Sequence, residues 1–577
     1  MKVKTLQPLT WCLTALLAVL PATLAAQTAS PVSTSAEVEA LKTQLSEQQK
    51  QIDMLKLALE DQKKLLEHLS NAAPAAGAPT AAGSSSSAQD NQNFTLPSKT
   101  LGQVASATPV LPPASPAPVP VPRSVLAAAQ QPAASSANPC EAPLDTANVP
   151  PYLRLGSVCV VPIGFMDATF VSRDVNAQSV IGSNFGSIPY NNNVQAKLNE
   201  ARFSIANSRL GFRIDGNWKG WHFIGYNEFD FLGTSGANNI TVTNGAVVPR
   251  IRLYWIDARK DKVEFLAGQS WSMLTPNRSG ISALPVDLFF SQSIDVSYVA
   301  GLTWSRQPGM RVLYHPAKEW TLGFSAENPE QYGGGSLGGS GITLPAAYTP
   351  LSGTQINTGN EVLAAPTVNP DFIAKIAYDP GTRAHFEIGG VERTFKIESP
   401  GLTQHSTNKG AGLLFGMNVD VWRTLRIIST NFWSDGGGRY LTGQAPDFIV
   451  RPNGSISPVK ADGSVDGFEA VVKNTLLYGY WGGIVARRNT AIDTNGSLVG
   501  FGFKGAPNTM NRAINEITFG FNQTMWRNPR YGAINLMGQY YWAQRSLWYV
   551  AAGPKGAHDD TIFMDIRYTL PGSMPNF

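Results

Sequence analysis

Ile562-Phe563-Met564-Asp565-Ile566-Arg567-Tyr568-Thr569-Leu570, close to the C-terminal end, decides how this chain folds. Ile562, Met564, Ile566, Tyr568 and Leu570 fall on one side and Phe563, Asp565, Arg567 and Thr569 on the other, so a strand here has one apolar and one polar face. The same period-two alternation recurs in short segments from about Leu153 to Leu570, separated by connections that are alternately short and long. Repeated about sixteen times, the pattern describes either a very large soluble β protein or a closed barrel with lipid outside and water within.

The N-terminus supplies an address. Lys2 and Lys4 precede an apolar run from Leu9 to Leu20, followed by Pro21-Ala22-Thr23-Leu24-Ala25-Ala26, so residues 1–26 read as a secretory signal cut near Ala25 or Ala26. Cys12 lies inside the apolar run rather than after it, which makes it a discarded residue and not a lipid anchor. No later stretch has the length and apolarity of a membrane helix. Export combined with alternating strands points to the outer membrane of a Gram-negative bacterium.

Composition agrees. Charged residues make up 15% of the 577, aromatics 10%, and there are 54 glycines, a balance expected where lipid-facing positions are apolar and aromatic rings mark both interfaces. Residues 1–149 hold 9 of the 45 Lys and Arg and 10 of the 41 Asp and Glu, leaving 36 against 31 from residue 150 onward. So small a basic excess does not by itself establish anion selectivity, and no nucleic-acid partner is expected. Two cysteines remain after processing, Cys140 and Cys159, on either side of the point where the barrel begins. In an oxidising periplasm they can form a disulfide or stay as two thiols.

Val38, Leu41, Leu45, Gln48, Ile52, Leu55, Leu59, Gln62, Leu66 and Leu69 hold heptad a and d positions without a break. Residues 36–70 therefore read as a coiled-coil helix, a rod about 50 Å long at 1.5 Å per residue, with a lone amphipathic helix as the alternative. Gln48 and Gln62 sit in d layers, where polar side chains can fix register through mutual hydrogen bonds. Residues 71–149 turn to Ala, Pro and Ser and form a disordered or extended tether without a core. The barrel occupies residues 150–577.

Short polar or Gly/Pro-bearing connections at Asp215 to Lys219, Arg259 to Lys262, His315 to Glu319, Asp379 to Thr382, Val421 to Thr424 and Trp526 to Arg530 suit periplasmic hairpins. Between them lie long excursions at 173–197, 233–248, 273–307, 328–370, 436–473 and 548–558, with weaker connections near 397–407, 487–496 and 505–511. The expected fold is all-β, a transmembrane antiparallel β-barrel of about sixteen strands with a periplasmic coiled-coil helix ahead of it. Eighteen strands stay open, because 440–510 alternates poorly.

Alternation also assigns faces. Leu210, Phe212 and Ile214 outward turn Arg209 and Arg213 inward, and Trp221, Phe223, Phe229 and Phe231 outward turn His222, Tyr226, Glu228 and Asp230 inward. Ile251, Leu253 and Trp255 outward put Arg250 and Arg252 inside; Val312 and Tyr314 do so for Arg311, and Phe372, Ile376 and Tyr378 for Lys375. A charge on the lipid face near mid-membrane would cost about 2–4 kcal/mol, which makes the sorting obligatory. Arg209, Arg213, Arg250, Arg252, Arg311, Lys375, Glu228 and Asp230 are the expected pore lining.

Asn207-Ser208-Arg209-Leu210-Gly211-Phe212, Arg250-Ile251-Arg252-Leu253-Tyr254, Leu266-Ala267-Gly268-Gln269-Ser270-Trp271-Ser272, and Arg306-Gln307-Pro308 with Arg311, in that order and spacing, resemble the DcaP-like porins, relatives of phosphate-selective porins. The resemblance covers roughly residues 150–577 and is strongest from 200 to 330. It implies a homotrimeric sixteen-stranded channel that passes small anionic solutes such as dicarboxylates, and a periplasmic coil ahead of the barrel fits that family. The long Pro/Ala linker, the cysteine pair and the C-terminal end depart from it. Phe577 is the terminal aromatic of an outer-membrane barrel, yet Gly572 to Asn576 separate it from the last strand.

The loop from Met273 to Ser305 is the third long one, the position at which general porins fold a loop into the bore. Its Arg278, Asp287 and Asp295, with Phe289 and Phe290, could narrow the pore and set a transverse field; an outside loop touching a neighbouring subunit is the alternative. Enzymatic readings find little. Gly500, Gly502 and Gly505 match a dinucleotide fingerprint but sit in an alternating strand with no helix behind it. The few histidines are scattered, and no catalytic, cofactor-binding or metal-binding set is expected. Asp462 to Glu469 reads as an acidic, Gly-rich solvated loop, with Ca²⁺ binding as its alternative.

Two functions fit these residues. One is an outer-membrane porin for passive diffusion of small hydrophilic solutes, with a preference for small anions such as dicarboxylates or phosphate. The other is a structural protein whose periplasmic coil tethers the membrane to the cell wall, through peptidoglycan or a periplasmic protein.

Overall fold

The computed structural model describes residues 152–573 except 178, 180, 183–184, 234–246, 283–297, 336–340, 360–364, 402–403, 508–509 and 551–555. The signal segment, the heptads of 36–70, the linker, Cys140, Asp287, Asp295 and Phe577 lie outside the described residues.

Sixteen antiparallel strands close into one barrel. In chain order they are β1 (Val158–Arg173), β2 (Glu200–Ser204 and Arg209–Trp218, both paired with β1), β3 (Trp221–Gly233), β4 (Val248–Lys260), β5 (Val263–Trp271), β6 (Arg306–Ala317), β7 (Trp320–Glu327) and β8 (Asp371–Tyr378). The second half comprises β9 (Ala384–Glu398), β10 (His405–Trp422), β11 (Leu425–Asp435), β12 (Lys460–Val472), β13 (Thr475–Ala486), β14 (Asn511–Asn528), β15 (Gly532–Leu547) and β16 (His558–Thr569). β16 returns to β1, from Phe165 opposite Thr569 to Arg173 opposite Thr561, and no edge is left.

At one end the connections are tight. Lys219 and Gly220, both at positive φ (50° and 79°), make the two-residue turn between β2 and β3, the backbone twist that a short hairpin needs. At the other end are eight longer loops, L1 (174–199), L2 (234–247), L3 (272–305), L4 (328–370), L5 (399–404), L6 (436–459), L7 (487–510) and L8 (548–557), of which L5 is the shortest. Sixteen strands replace the open choice of sixteen or eighteen. The expected excursion 436–473 is two things: L6 (436–459), with a small ribbon of Phe448–Val450 and Ile456–Pro458, and then β12, followed by a turn at Lys473 and Asn474. Asp462 to Glu469 are therefore wall and not a solvated loop; Gly463 and Gly467 weaken the alternation that would have revealed the strand. The two weak connections near 487–496 and 505–511 belong to one loop, L7, which carries its own hairpin, Asn489–Ile492 with Leu498–Phe501.

The faces sort as alternation requires. Leu210, Phe212, Ile214, Val312, Phe372, Ile376, Ile562, Met564 and Ile566 are exposed on the outside, while Phe563, Asp565 and Arg567 are buried within. Exposed Trp218, Trp320, Trp422, Trp526 and Tyr531 ring the turn end, and Phe203, Trp433 and Tyr540 stand toward the loop end, marking the two membrane interfaces. One assignment fails. Glu228 pairs with Leu253 and Phe229 with Ile251, so Arg252 is an extra residue in β4. This bulge turns both Arg252 and Leu253 inward and inverts the alternation beyond them: Trp255 is buried, whereas Tyr254 and Ile256 are exposed.

Met564 lies midway along β16 on the apolar face. Replacing it with Arg should lower the unfolding free energy in lipid vesicles by about 2–4 kcal/mol; an unchanged urea midpoint would place this strand outside the bilayer.

Candidate functional site

The interior is built from two charged walls and an inserted loop. On β2 to β5 the described inward arginines stand beside acids. Arg252, fully buried, donates from Nε to Glu228 at 2.9 Å and from Nη1 to Asp230 at 2.7 Å. Arg250 takes both oxygens of Asp230, at 3.0 and 2.6 Å, and Arg209 stands 3.9 Å from Glu228. Arg213 and His222 share Asp215, at 2.7 and 3.0 Å, and Arg259 lies between Asp257 (2.5 Å) and Glu264 (3.3 Å). Arg311 donates to the Trp271 carbonyl at 3.1 Å. The expected basic cluster is thus a set of ion pairs in which arginines and carboxylates alternate across the strands.

In three of these pairs the guanidinium stands in front of its acid. Side-chain exposure is 38% for Arg250 against 1% for Asp230, 15% for Arg213 against 0% for Asp215, and 15% for Arg259 against 0% for Asp257. Arg252 is the reverse case, at 0% against 7% for Glu228.

The described parts of L3 (272–282 and 298–305) lie in the bore and are fastened along the opposite wall. The Met273 amide donates to Glu327 of β7 at 2.8 Å, the Asn277 amide to Glu387 of β9 at 3.0 Å, and the Gly280 amide to Asp379 at 2.9 Å. Lys375, paired with Glu387 at 2.8 Å, donates to the Thr275 carbonyl at 2.9 Å. Arg278 forms a two-pronged pair with Glu469 of β12, at 2.8 and 2.5 Å. It is therefore a fastening and not a charge offered to the pore. Lys375, too, is buried under the loop rather than presented to solvent.

The loop returns by a second contact. The Ala300 amide donates to Glu516 of β14 at 2.8 Å, and the backbone at Ala300 and Gly301 lies directly on β12 and β13. A Cβ on Gly482 would sit 2.1 Å from the Ala300 carbonyl oxygen, and one on Gly463 2.5 Å from that of Gly301, so only glycine admits the loop here. Above it, Ile181, Phe185 and Tyr190 of L1, Tyr298 and Leu302 of L3, and Tyr440 and Leu441 of L6 share one buried apolar cluster with inward residues of the wall. Toward the turn end a cavity of 480 Å³ remains, lined by His222, Arg259, Glu264 and His315 with Ile281 and Ser282 of L3.

Glu327, Glu387, Glu469 and Glu516, which hold the loop, were missed by the sequence reading. Their partners lie up to 216 residues away, and the one local signal was glycine inside strands, at 463 and 482, which marks close backbone approach. Cys159 is buried and disulfide-bonded, with its partner outside the described residues.

A closed sixteen-stranded barrel with tight turns at one end and its third loop packed within the bore is the architecture of a porin-type outer-membrane channel. The fold is similar to that of the outer membrane channel DcaP of Acinetobacter baumannii, with a TM-score of 0.53 and 17% identity, over 72% of this chain and 98% of that one. Looser likenesses are OmpT of Vibrio cholerae (0.40, 9% identity, 73% and 100% covered) and OmpF of Salmonella typhi in complex with daunomycin (0.40, 8%, 73% and 100%). The sequence matches no family model and no curated protein. What is shared at such identities is the fold, and it is the fold that the sequence resemblance implies.

Gly482→Val should push L3 off the wall, raising single-channel conductance and opening the loop to protease. Glu469→Gln, which leaves Arg278 buried without its anion, should destabilise the barrel by about 3–5 kcal/mol on chemical unfolding. If both variants keep wild-type conductance, protease resistance and stability, the loop is not held by these contacts.

Proposed function

We propose that the chain is an outer-membrane porin for passive diffusion of small hydrophilic solutes, with a preference for small anions such as dicarboxylates or phosphate. The observation that carries the preference is the placing of Arg213, Arg250 and Arg259 in front of their acids: the pairs are neutral, but a passing solute meets guanidinium first. Such groups offer bidentate contacts to carboxylate and phosphate and raise the local anion concentration. L3 narrows the path, so that solutes pass close to that wall.

Homotrimerisation is part of the proposal. Ser429, Asn431, Ser464 and Asp466 lie on the outward positions of β11 and β12, midway along the strands, and hydrogen-bond to one another, with Asp466 accepting from Ser429 at 2.6 Å and Ser464 at 2.9 Å. A carboxylate at that height is better covered by a neighbouring subunit than by lipid. The coil of residues 36–70 would then stand in the periplasm, joined to the barrel by the linker and by a Cys140–Cys159 bridge.

In planar bilayers under a KCl gradient the reversal potential should have the sign of anion preference. Arg213→Gln with Arg250→Gln should lower the anion-to-cation permeability ratio by about twofold or more, while Asp215 keeps His222 and Asp230 keeps Arg252 as partners. An unchanged ratio would sink the anion assignment and leave the porin. Absence of stepwise conductance would sink the porin as well. Asp466→Lys should convert trimers to monomers on non-denaturing gels.

A further inference from the structure

Asp174, which opens L1, and His558 and Asp560, the first and third residues of β16, meet at the seam where the barrel closes. One carboxylate oxygen of each aspartate and an imidazole nitrogen all lie within 4.8 Å of one another. His558 Nε2 stands 3.8 Å from Asp174 Oδ2 and 4.0 Å from Asp560 Oδ2, too far to hydrogen-bond to either. Ligand atoms around a tetrahedral ion with bonds of about 2.1 Å lie roughly 3.4 Å apart, so the two separations from His558 need close by only about half an ångström.

The two carboxylates are aimed by their other oxygens. Asp174 Oδ1 accepts the Asp560 amide at 2.9 Å, and Asp560 Oδ1 accepts the hydroxyl proton of Tyr540 on the neighbouring strand β15. Each aspartate therefore has one oxygen held back and the second turned toward His558, the arrangement by which outer hydrogen bonds orient metal ligands. All three side chains are half-buried, so an ion can reach them and keep its remaining positions for water.

We propose that Asp174, His558 and Asp560 form a binding site for a divalent transition-metal ion of the Zn²⁺ type, which clamps the first strand to the last at the loop-end rim. The imidazole selects this class over Mg²⁺ and Ca²⁺, whose ligand sets are all oxygen. The ion joins residues 384 apart in the chain, across the one strand pair that no connecting loop holds together. Its effect is on rim order and barrel stability, whatever the channel passes.

The test uses the untagged full-length protein in detergent, titrated calorimetrically with Zn²⁺ and separately with Ca²⁺. One Zn²⁺ site per chain is expected, absent in His558→Gln and in Asp174→Asn, and weakened about tenfold in Tyr540→Phe, which removes only the orienting hydrogen bond. Zn²⁺ should raise the thermal unfolding midpoint of the wild type and leave that of His558→Gln where it was. His68, His222, His315, His385 and His405 remain in that variant, so Zn²⁺ bound equally well by wild type and His558→Gln would overturn the proposal. So would no Zn²⁺ binding by the wild type, or Ca²⁺ binding of equal strength.

Discussion

In hydrocarbon an unpaired backbone amide or carbonyl costs several kcal/mol, and the pairing of β16 with β1 removes the last two edges at which such groups would be left. Closure then dictates the rest. A closed sheet has one face toward lipid and one toward its own axis, so each strand must alternate, and polar residues can only gather inside. Once there, charges are crowded into a narrow space away from bulk water. Most are retained by an opposite charge on a neighbouring strand or on the inserted loop, and Arg311 and Arg545 by backbone carbonyls.

That requirement explains why L3 is so firmly seated. Glu387 and Glu469 face inward from β9 and β12, where Lys375 and His385 meet the first and Tyr480 the second, and each has a further carboxylate lone pair that the loop fills. The loop brings an amide from Asn277 to the first and the Arg278 guanidinium to the second. Lys375 closes the first group by bonding both Glu387 and the loop carbonyl of Thr275. Wall and loop are thus satisfied together. The facing wall of β2 to β6 solves the same problem internally, strand against strand, which leaves it free to line the path.

An ion pair also has a front and a back. Asp215, Asp230 and Asp257 are short side chains set close to the backbone, and the longer arginines reach over them toward the axis. The field within the bore therefore depends on side-chain length and placement more than on a count of charges. Composition alone is therefore a poor guide to selectivity.

Period-two alternation determined the barrel, because lipid and lumen act on every second residue and leave their mark in local sequence. Residues such as Leu210 to Ile214 and Ile562 to Ile566 could be assigned a face without any structure, and with them Arg209, Arg213 and Arg311. Trp255 and Leu253 could not, since a bulge at Arg252 is a property of pairing with β3 and not of β4 itself. β12 was hidden for a related reason: where L3 lies against the wall the strand carries glycine and not a large apolar residue, and the alternation fades. Only the tertiary structure decided which acid faces which base, that Arg278 is a fastening to Glu469, and that Asp174 meets His558 and Asp560. Arg278 and Glu469 stand 191 positions apart, and the sequence holds no local trace of a distance that the folded wall alone makes short; the acid–base pairs of β2 to β4 are nearer in sequence, but rotamer and register, not spacing, select each partner.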